Sequence, residues 1–260
     1  MYRYETHLHT CQSSACGRSP GAEHVPYYKA LSYDGIFITD HFFGGNCAVS
    51  RSLPWRERIA RFCEGYEDAR RAGEREGLKV FFAWEETKDG DDYLVYGLPP
   101  EWLMEHPEIE GCTRREQLEL VHLAGGCVVQ AHPFRQRDYI RRILLGKDYA
   151  DAAEVANAGN RPEDDVAAYR YAQDYGLYMT CGSDNHHSGF DVRDPAVTWG
   201  IGTETPINEP MDYVRMILER RPVTLLCPPE RFERQPGMSS PQAWMLDARE
   251  EPVLMARKWF

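Results

Sequence analysis

The stretch Glu5-Thr6-His7-Leu8-His9-Thr10 decides how the rest of the chain is read. In an extended strand successive side chains point to opposite faces, so His7 and His9, two positions apart, look the same way. Two neutral imidazoles on one face can share a metal ion, and such a site draws its remaining ligands from distant parts of the chain. Later segments must then supply them.

Outward from that stretch, strand-like and helix-like segments alternate, the pattern of βα units in an α/β fold. Residues 2–9 read as the first strand and 11–20, rich in Ser, Gly and Pro, as a loop. A short helix over 23–31 precedes a strand, Gly35 to Thr39, that ends in Asp40-His41. From Pro54 to about Gly77 the apolar residues Ile59, Phe62, Tyr66 and Ala69 recur at three- and four-residue spacing, which predicts one long amphipathic helix. The strand Lys79 to Trp84 runs into Glu85-Glu86, and Asp91 to Gly97 reads as another strand. Arg114 to Ala124 is helical with Gly125-Gly126 as its stop, and Cys127 to Ala131 is a buried strand ending in His132-Pro133. A helix is expected over Arg135 to Leu145, a short strand over Ala153 to Asn157, and a helix over Pro162 to Tyr175 that Gly176 closes. The strand Leu177 to Cys181 leads into Gly182-Ser183-Asp184-Asn185-His186; beyond it come a strand over 198–201, a helix over 210–220 and a strand over 223–226. Residues 1–227 form the expected domain, and 228–260, without a clean period, a peripheral extension of it.

Polar residues collect where these strands end: His7, His9, Asp40, His41, Glu85, His132, Asp184 and His186. Each alone has a plain reading. An isolated His-x-His is ordinarily a hydrogen-bonded pair, Asp40 could cap a helix, and Asp184-x-His186 could be a turn with an Asx bond. Together, at successive strand ends, they point to a convergent site, because barrels of βα units place their working residues at the carboxyl ends of strands.

Composition narrows the partners. With 30 basic and 41 acidic residues the formal charge is −11, which repels a polyanion at long range and disfavours long duplex nucleic acid. A small anionic substrate remains compatible, since divalent cations reverse the local sign inside an acidic protein. The eight cysteines contain no Cys-x-x-Cys pair, and the sequence shows no membrane span or signal peptide. Reduced thiols, most of them small buried apolar residues, and a cytoplasmic location are expected.

The motifs His7-Leu8-His9-Thr10, Ile38-Thr39-Asp40-His41, Glu85 after its strand, Ala131-His132-Pro133 and Gly182-Ser183-Asp184-Asn185-His186 resemble, in order and spacing over residues 2–190, those of the PHP (polymerase and histidinol phosphatase) superfamily of metal-dependent phosphoesterases. The resemblance implies a distorted (β/α)7 TIM-like barrel with two to three divalent ions, zinc, manganese or iron, at the strand ends. Carried over, one ion takes His7, His9, Glu85 and Asp184; Glu85 bridges to a second that also takes His132; a third uses His41 and His186, with Asp40 ligating or orienting His41. Family members often have a further His or Asp in the first loop. Here Ser13-Ser14-Ala15-Cys16-Gly17 offers Cys16 as the nearest replacement, since thiolate suits zinc. Where many members have a His after the bridging Glu, this chain has Asp92, or water fills the position.

Two ions about 3.5–4 Å apart can activate a bridging water and neutralise phosphoryl charge, so hydrolysis of a small phosphomonoester or of a nucleotide or oligonucleotide phosphodiester is the expected reaction. Catalysis would fall to Glu85, Asp184 and His186, the last two as alternative proton donors, with Arg135 and Arg18 as candidate phosphate clamps. A non-catalytic metal-binding module is the alternative. Glu154 and Asn157 could line the cleft or hold ligand imidazoles from behind, and Glu86 should face away from Glu85.

Overall fold

The protein is described here by a computed structural model, which covers residues 1–189 and 198–260. In chain order the strands are β1 (Tyr2–Glu5), β2 (Gly35–Ile38), β3 (Lys79–Lys88), β4 (Asp91–Tyr96), β5 (Cys127–Ala131), β6 (Ile143–Leu145), β7 (Ala152–Asn157), β8 (Tyr178–Gly182), β9 (Gly200–Thr203), β10 (Thr224–Leu226), β11 (Ala243–Leu246) and β12 (Pro252–Leu254). The α-helices are α1 (Gly21–Ala30), α2 (Trp55–Phe62), α3 (Glu64–Glu76), α4 (Pro100–Glu105), α5 (Arg114–Leu123), α6 (Pro162–Tyr175) and α7 (Pro210–Leu218).

Nine strands form one sheet in the order β10-β9-β1-β2-β3-β4-β5-β7-β8. Its ends approach each other, β8 touching β9 and β10, so the sheet curls into a nearly closed, TIM-like barrel. The distortion lies in direction: β1, β2 and β3 run parallel, as do β5, β7 and β8, while β4, β9 and β10 pair antiparallel to their neighbours. Strands β2, β5 and β7 are buried at every residue, as expected where both faces are covered.

Alternation along β3 sets up the site. Phe81 and Ala83 pack with Tyr4, Phe37, Tyr96 and Val129 and with Tyr213 and Ile217 of α7. Phe82 and Trp84 turn instead toward Phe42, Phe62 and Val95. Continuing that period, Glu85 falls on the face of Phe81 and Ala83, and Glu86 on the other.

Two sequence expectations about helices fail. The long helix over 54–77 is interrupted at Cys63 and becomes α2 and α3. Just past the break, Gly65 lies so close to Thr10 that a Cβ there would collide with the threonine Oγ1, so the start of α3 is fitted against the His7–Thr10 loop rather than continuing α2. Residues 135–142 are irregular, not helical, and end in β6, which pairs with β11 in a separate three-stranded sheet. The run Arg135-Gln136-Arg137-Asp138-Tyr139-Ile140-Arg141-Arg142 has no apolar stripe for a helix to bury.

The residues after 227 supply β11 and β12, and Arg231 among them reaches inward to bond Asp165 and the carbonyls of Asn157 and Asn160. All eight cysteines are free, but only Cys63, Cys127 and Cys181 are buried, which corrects the expectation that most are core residues. No helix among the described residues is long and apolar enough to cross a membrane.

Candidate metal centre

The polar residues at the strand ends lie together. His7 and His9 follow β1, Asp40 and His41 follow β2, Glu85 lies within β3, His132 follows β5, and Asp184 and His186 follow β8. Parallel bridges between Leu8 and Asn185 and between His41 and Glu85 fasten these ends together. His132 and Asp184 both occupy left-handed backbone conformations, φ 28° and 55°, a strain of about 1–3 kcal/mol each that non-glycine residues sustain chiefly where function fixes them.

Glu85 is the hub. Its carboxylate lies 2.7 Å from His41 Nδ1, 3.1 Å from His132 Nε2, 3.4 Å from His7 Nε2 and 3.5 Å from His9 Nε2. His7 Nε2 and His9 Nε2 are 3.1 Å apart, and Asp184 Oδ1 sits 2.9 Å from the latter and 3.5 Å from the former. Metal–ligand bonds of about 2.0–2.2 Å put neighbouring ligand atoms about 3.0–3.5 Å apart, so these spacings are those of donor atoms around shared cations. Glu85 Oε2 and His41 Nδ1 are buried and lack hydrogen-bond alignment with any partner, despite their proximity. Two ring nitrogens facing each other at 3.1 Å, and two buried polar atoms without aligned partners, are an arrangement that a cation would satisfy. Three groups of donors meet closely enough for one ion each: His7, His9 and Asp184; His7, Glu85 and His132; His9, His41 and His186. Cys16 is not one of these donors but stands beside the last group, its Sγ 3.1 Å from His186 Nε2.

The protein's own charges act strongly here. Burial alone would raise Glu85 and Asp184, but His41 and His7 around the first, and Arg135 and His7 around the second, hold both well below the usual carboxylate range. Burial opposes charge on His7 and His41, yet Glu154, Asp184 and Glu85 raise the former and Glu85 and Cys16 the latter. His9, buried beside His41, is pushed down. Burial would raise the Cys16 thiol, but bonds from His186 and His41 bring it down to about 6, and that sulfur in turn raises His186 against its own burial.

Several expected residues take other places. Asp40 does not join the donor groups: its Oδ1 accepts from the Thr10 amide at 2.7 Å and from Ser14 Oγ at 2.6 Å, and its Oδ2 accepts from Thr10 Oγ1 at 2.7 Å. Its influence passes through Ser14, whose Oγ accepts from the His41 amide at 3.0 Å and lies 3.2 Å from His9 Nδ1. Asp92 receives a bond from Thr87 and stands 3.9 Å from His132, beyond ligand spacing. Arg18 is exposed and is not among the residues lining the cleft; among the described residues its backbone amide bonds the His186 carbonyl. Arg135 lines the cleft, but its guanidinium is committed to Asp184 Oδ2 at 2.6 Å and to the side-chain oxygens of Asn160 and Asn157 at 2.8 and 2.7 Å, so it holds Asp184 in place rather than waiting for a phosphate.

Glu154 is the support behind the centre. Its Oε1 lies 3.0 Å from His7 Nδ1, and its Oε2 accepts from the His132 amide at 3.1 Å and from Asn157 Nδ2 at 2.8 Å. Gly182 packs against it so tightly that a Cβ would stand 2.5 Å from Oε1. Glu5, which the sequence did not single out, accepts from the amides of His7 and Ser183 through one oxygen, at 2.9 and 3.0 Å, tying two ligand-bearing strand ends together. A carboxylate two residues before the first motif, on a strand, was its only sequence signal. A carboxylate behind a ligand imidazole fixes its tautomer and raises its basicity. Glu154→Gln should therefore weaken metal binding by about 10–100-fold while leaving the fold intact, as read by competition with a chromophoric chelator.

No family model matches the chain. Two curated relatives, the 5'-3' exoribonuclease Rnm of Salmonella typhimurium and that of Escherichia coli, are each 28% identical over 103 residues, 36% of this chain and 32% of theirs, so the match spans about a third of their length. Among solved structures, a two-domain protein of Bacteroides vulgatus containing a predicted PHP-like metal-dependent phosphoesterase superposes with a TM-score of 0.66 at 15% identity, over 87% of this chain and 64% of that one. An amidohydrolase of Chromobacterium violaceum gives 0.51 at 15% identity, over 88% and 99%. The barrel and the ordered residues at its strand ends thus make this chain similar to the PHP-like metal-dependent phosphoesterases, whose fold it shares.

Proposed function

We propose that the chain is a metal-dependent hydrolase of phosphoesters, acting on a small phosphomonoester or on a nucleotide or short oligonucleotide. The observation that carries this reading is the convergence of His7, His9, His132 and His41 on the buried carboxylate of Glu85, with Asp184 beside them. This donor set, mixed imidazole and carboxylate, suits zinc, manganese or iron in two or three adjoining sites. Such ions supply an activated water and neutralise developing charge at phosphorus.

The chain's own residues do the rest. Glu154 orients His7, Arg135 fixes Asp184, and Asp40 through Ser14 positions His9 and His41. His186 is the least buried imidazole of the centre, and its Nε2, 3.1 Å from Cys16 Sγ, would give a proton to a leaving oxygen on exchanging that contact. A cleft of about 870 Å³ opens beside these groups, with Arg141, Arg142 and Tyr139 on one wall. Tyr139 is 76% exposed, and an aromatic face beside guanidinium groups suits a base and its phosphates, which supports the nucleotide end of the proposed range. The exoribonuclease relatives point the same way.

Metal analysis combined with turnover of an aryl phosphate tests the reading. Two or more ions per chain with metal-dependent turnover is the expected result; one tightly held ion without turnover would favour a non-catalytic metal-binding module. A screen of phosphorylated metabolites and short oligonucleotides with manganese, zinc and iron then ranks substrates.

A further inference from the structure

Arg231 enters the body of the protein from the 3-10 turn Pro229–Phe232, which stacks on α6 through the rings of Phe232 and Tyr169, 4.5 Å apart. Its Nε donates to Asp165 Oδ2 at 2.6 Å, and its Nη2 to the Asn157 and Asn160 carbonyls at 3.2 and 2.6 Å. Asp165, in the first turn of α6, is fully buried, and among the described residues Arg231 is its only ion-pair partner. A buried carboxylate stripped of its cation is costly, so the two residues hold each other in place.

The asparagines that Arg231 touches by their backbone face Arg135 with their side chains. Asn160 Oδ1 accepts from Arg135 Nε at 2.8 Å, and Asn157 Oδ1 from Arg135 Nη2 at 2.7 Å. An asparagine can present either end of its amide, and only the oxygen suits a guanidinium. For Asn160 the choice falls to Asp165, whose Oδ1 accepts from Asn160 Nδ2 at 2.8 Å; for Asn157 it falls to Glu154, which accepts from Nδ2 at 2.8 Å. Arg135, held in this way, takes Asp184 Oδ2 at 2.6 Å and leaves Oδ1, 2.9 Å from His9 Nε2, for a cation. An unbroken run of contacts thus leads from Arg231 through Asp165, Asn160 and Arg135 to Asp184.

We propose that Arg231 is a positioning residue for the metal centre, holding the Asp165 carboxylate and the 157–160 backbone so that Asn160 and Asn157 aim Arg135 at Asp184. This rests on the metal-binding half of the proposed function and not on the identity of the substrate. Without Arg231, Asp165 loses its counter-charge and two carbonyls lose a donor, so Asn160 is no longer held with its oxygen toward Arg135. A guanidinium that meets an N–H instead gives way, and Asp184 presents Oδ1 less firmly. A group directly behind a metal ligand ordinarily carries about 10–100-fold in affinity, and Arg231, further removed, should carry the lower end of that range.

Zinc competition with a chromophoric chelator, run on the full-length chain as a double-mutant cycle, tests this. Arg231→Ala should weaken one class of bound zinc by about tenfold and leave the remaining zinc unchanged, because among the donor groups Asp184 belongs only to the one with His7 and His9. Asn160→Ala should act alike, and the double variant should lose about as much as Asn160→Ala alone rather than the product of the two losses. Urea midpoints of the metal-free variants separate positioning from support of the fold. If Arg231→Ala is unfolded before zinc is added, Arg231→Lys, which keeps the charge beside Asp165 but lacks the planar fork, takes its place in the cycle. Unchanged affinities, losses that multiply, or weakening of every zinc in step with the urea midpoint overturn this role for Arg231 and leave the hydrolase untouched. Coupled losses in a protein without turnover sustain the role and overturn the hydrolase reading; a native chain that binds no zinc overturns both.

Discussion

Glu85→Gln is expected to strip divalent metal from the protein and to lower turnover by roughly a thousandfold or more, the scale on which losing a preorganised charge at a reacting centre is felt. Glutamine keeps the shape of the side chain, so the effect isolates charge and ligand chemistry from packing. In the native chain the carboxylate stands within 3.5 Å of four imidazoles and has no water-exposed surface. An amide there presents N–H groups to nitrogens that must themselves be free to coordinate, and a neutral oxygen in place of a shared anion. The proton balance follows too. His7 and His41, raised by their carboxylate neighbours against the effect of burial, hold protons at neutral pH that must leave before a cation enters. Metal uptake by the native protein should therefore release protons and strengthen as pH rises, and Glu85→Gln should release fewer because His41 and His7 lose the charge that raised them. Metal content by plasma emission, proton release in weakly buffered solution and turnover together check the point. A variant that retains its ions and stays within tenfold of native turnover would remove Glu85 from the centre.

Part of the side-chain cluster was legible because its geometry is local. His7 and His9 share a face by strand alternation alone, and Glu85 and Glu86 part company by the same period, so neither needed tertiary knowledge. The groups around the donors were legible only in part, because they act by long-range contact. Glu154 was expected to line the cleft or to hold a ligand imidazole from behind, but nothing near it in sequence names His7, 147 positions away, as that imidazole. Arg135 read as a free phosphate clamp from its place three residues past His132, yet its partners Asn157, Asn160 and Asp184 lie on the next two strand ends. Asp40 was expected to ligate or to orient His41, and the Thr10 and Ser14 hydroxyls that claim both its oxygens leave it the second role, passed to the His41 amide through Ser14. The helix expected over 135–145 failed because that charged run has no apolar stripe for a helix to bury, so packing does not select the helical ladder there. Helical character was readable from apolar periodicity over 162–175 and over 54–77, but not the break at Cys63 that the contact of Gly65 with Thr10 accompanies.

Arg114→Ala should cost about 3–5 kcal/mol of stability, the range found when one member of a buried ion pair is removed and the other is left behind. Arg114 and Asp91 are both 5% exposed at their side chains, and the guanidinium bonds both oxygens of Asp91, the Lys88 carbonyl and Glu250. It joins β4 to the start of α5 and to the segment after β11. Burial already raises the Asp91 carboxyl despite Arg114, and without the arginine only the Tyr93 hydroxyl, at 2.6 Å, remains to stabilise its charge. The carboxyl should then rise further above its unfolded value. A group raised on folding contributes stability that is present at low pH and lost as pH rises through the folded value, so the variant should lose more stability at pH 8 than at pH 5. Adding Asp91→Asn to Arg114→Ala removes the stranded charge and should restore part of the loss, with the remainder reflecting the unpaired Lys88 carbonyl and the released Glu250. Urea midpoints for the single and double variants at both pH values decide it: a loss below about 1 kcal/mol, or one indifferent to pH, would mean that Asp91 finds solvent or another partner when Arg114 is gone.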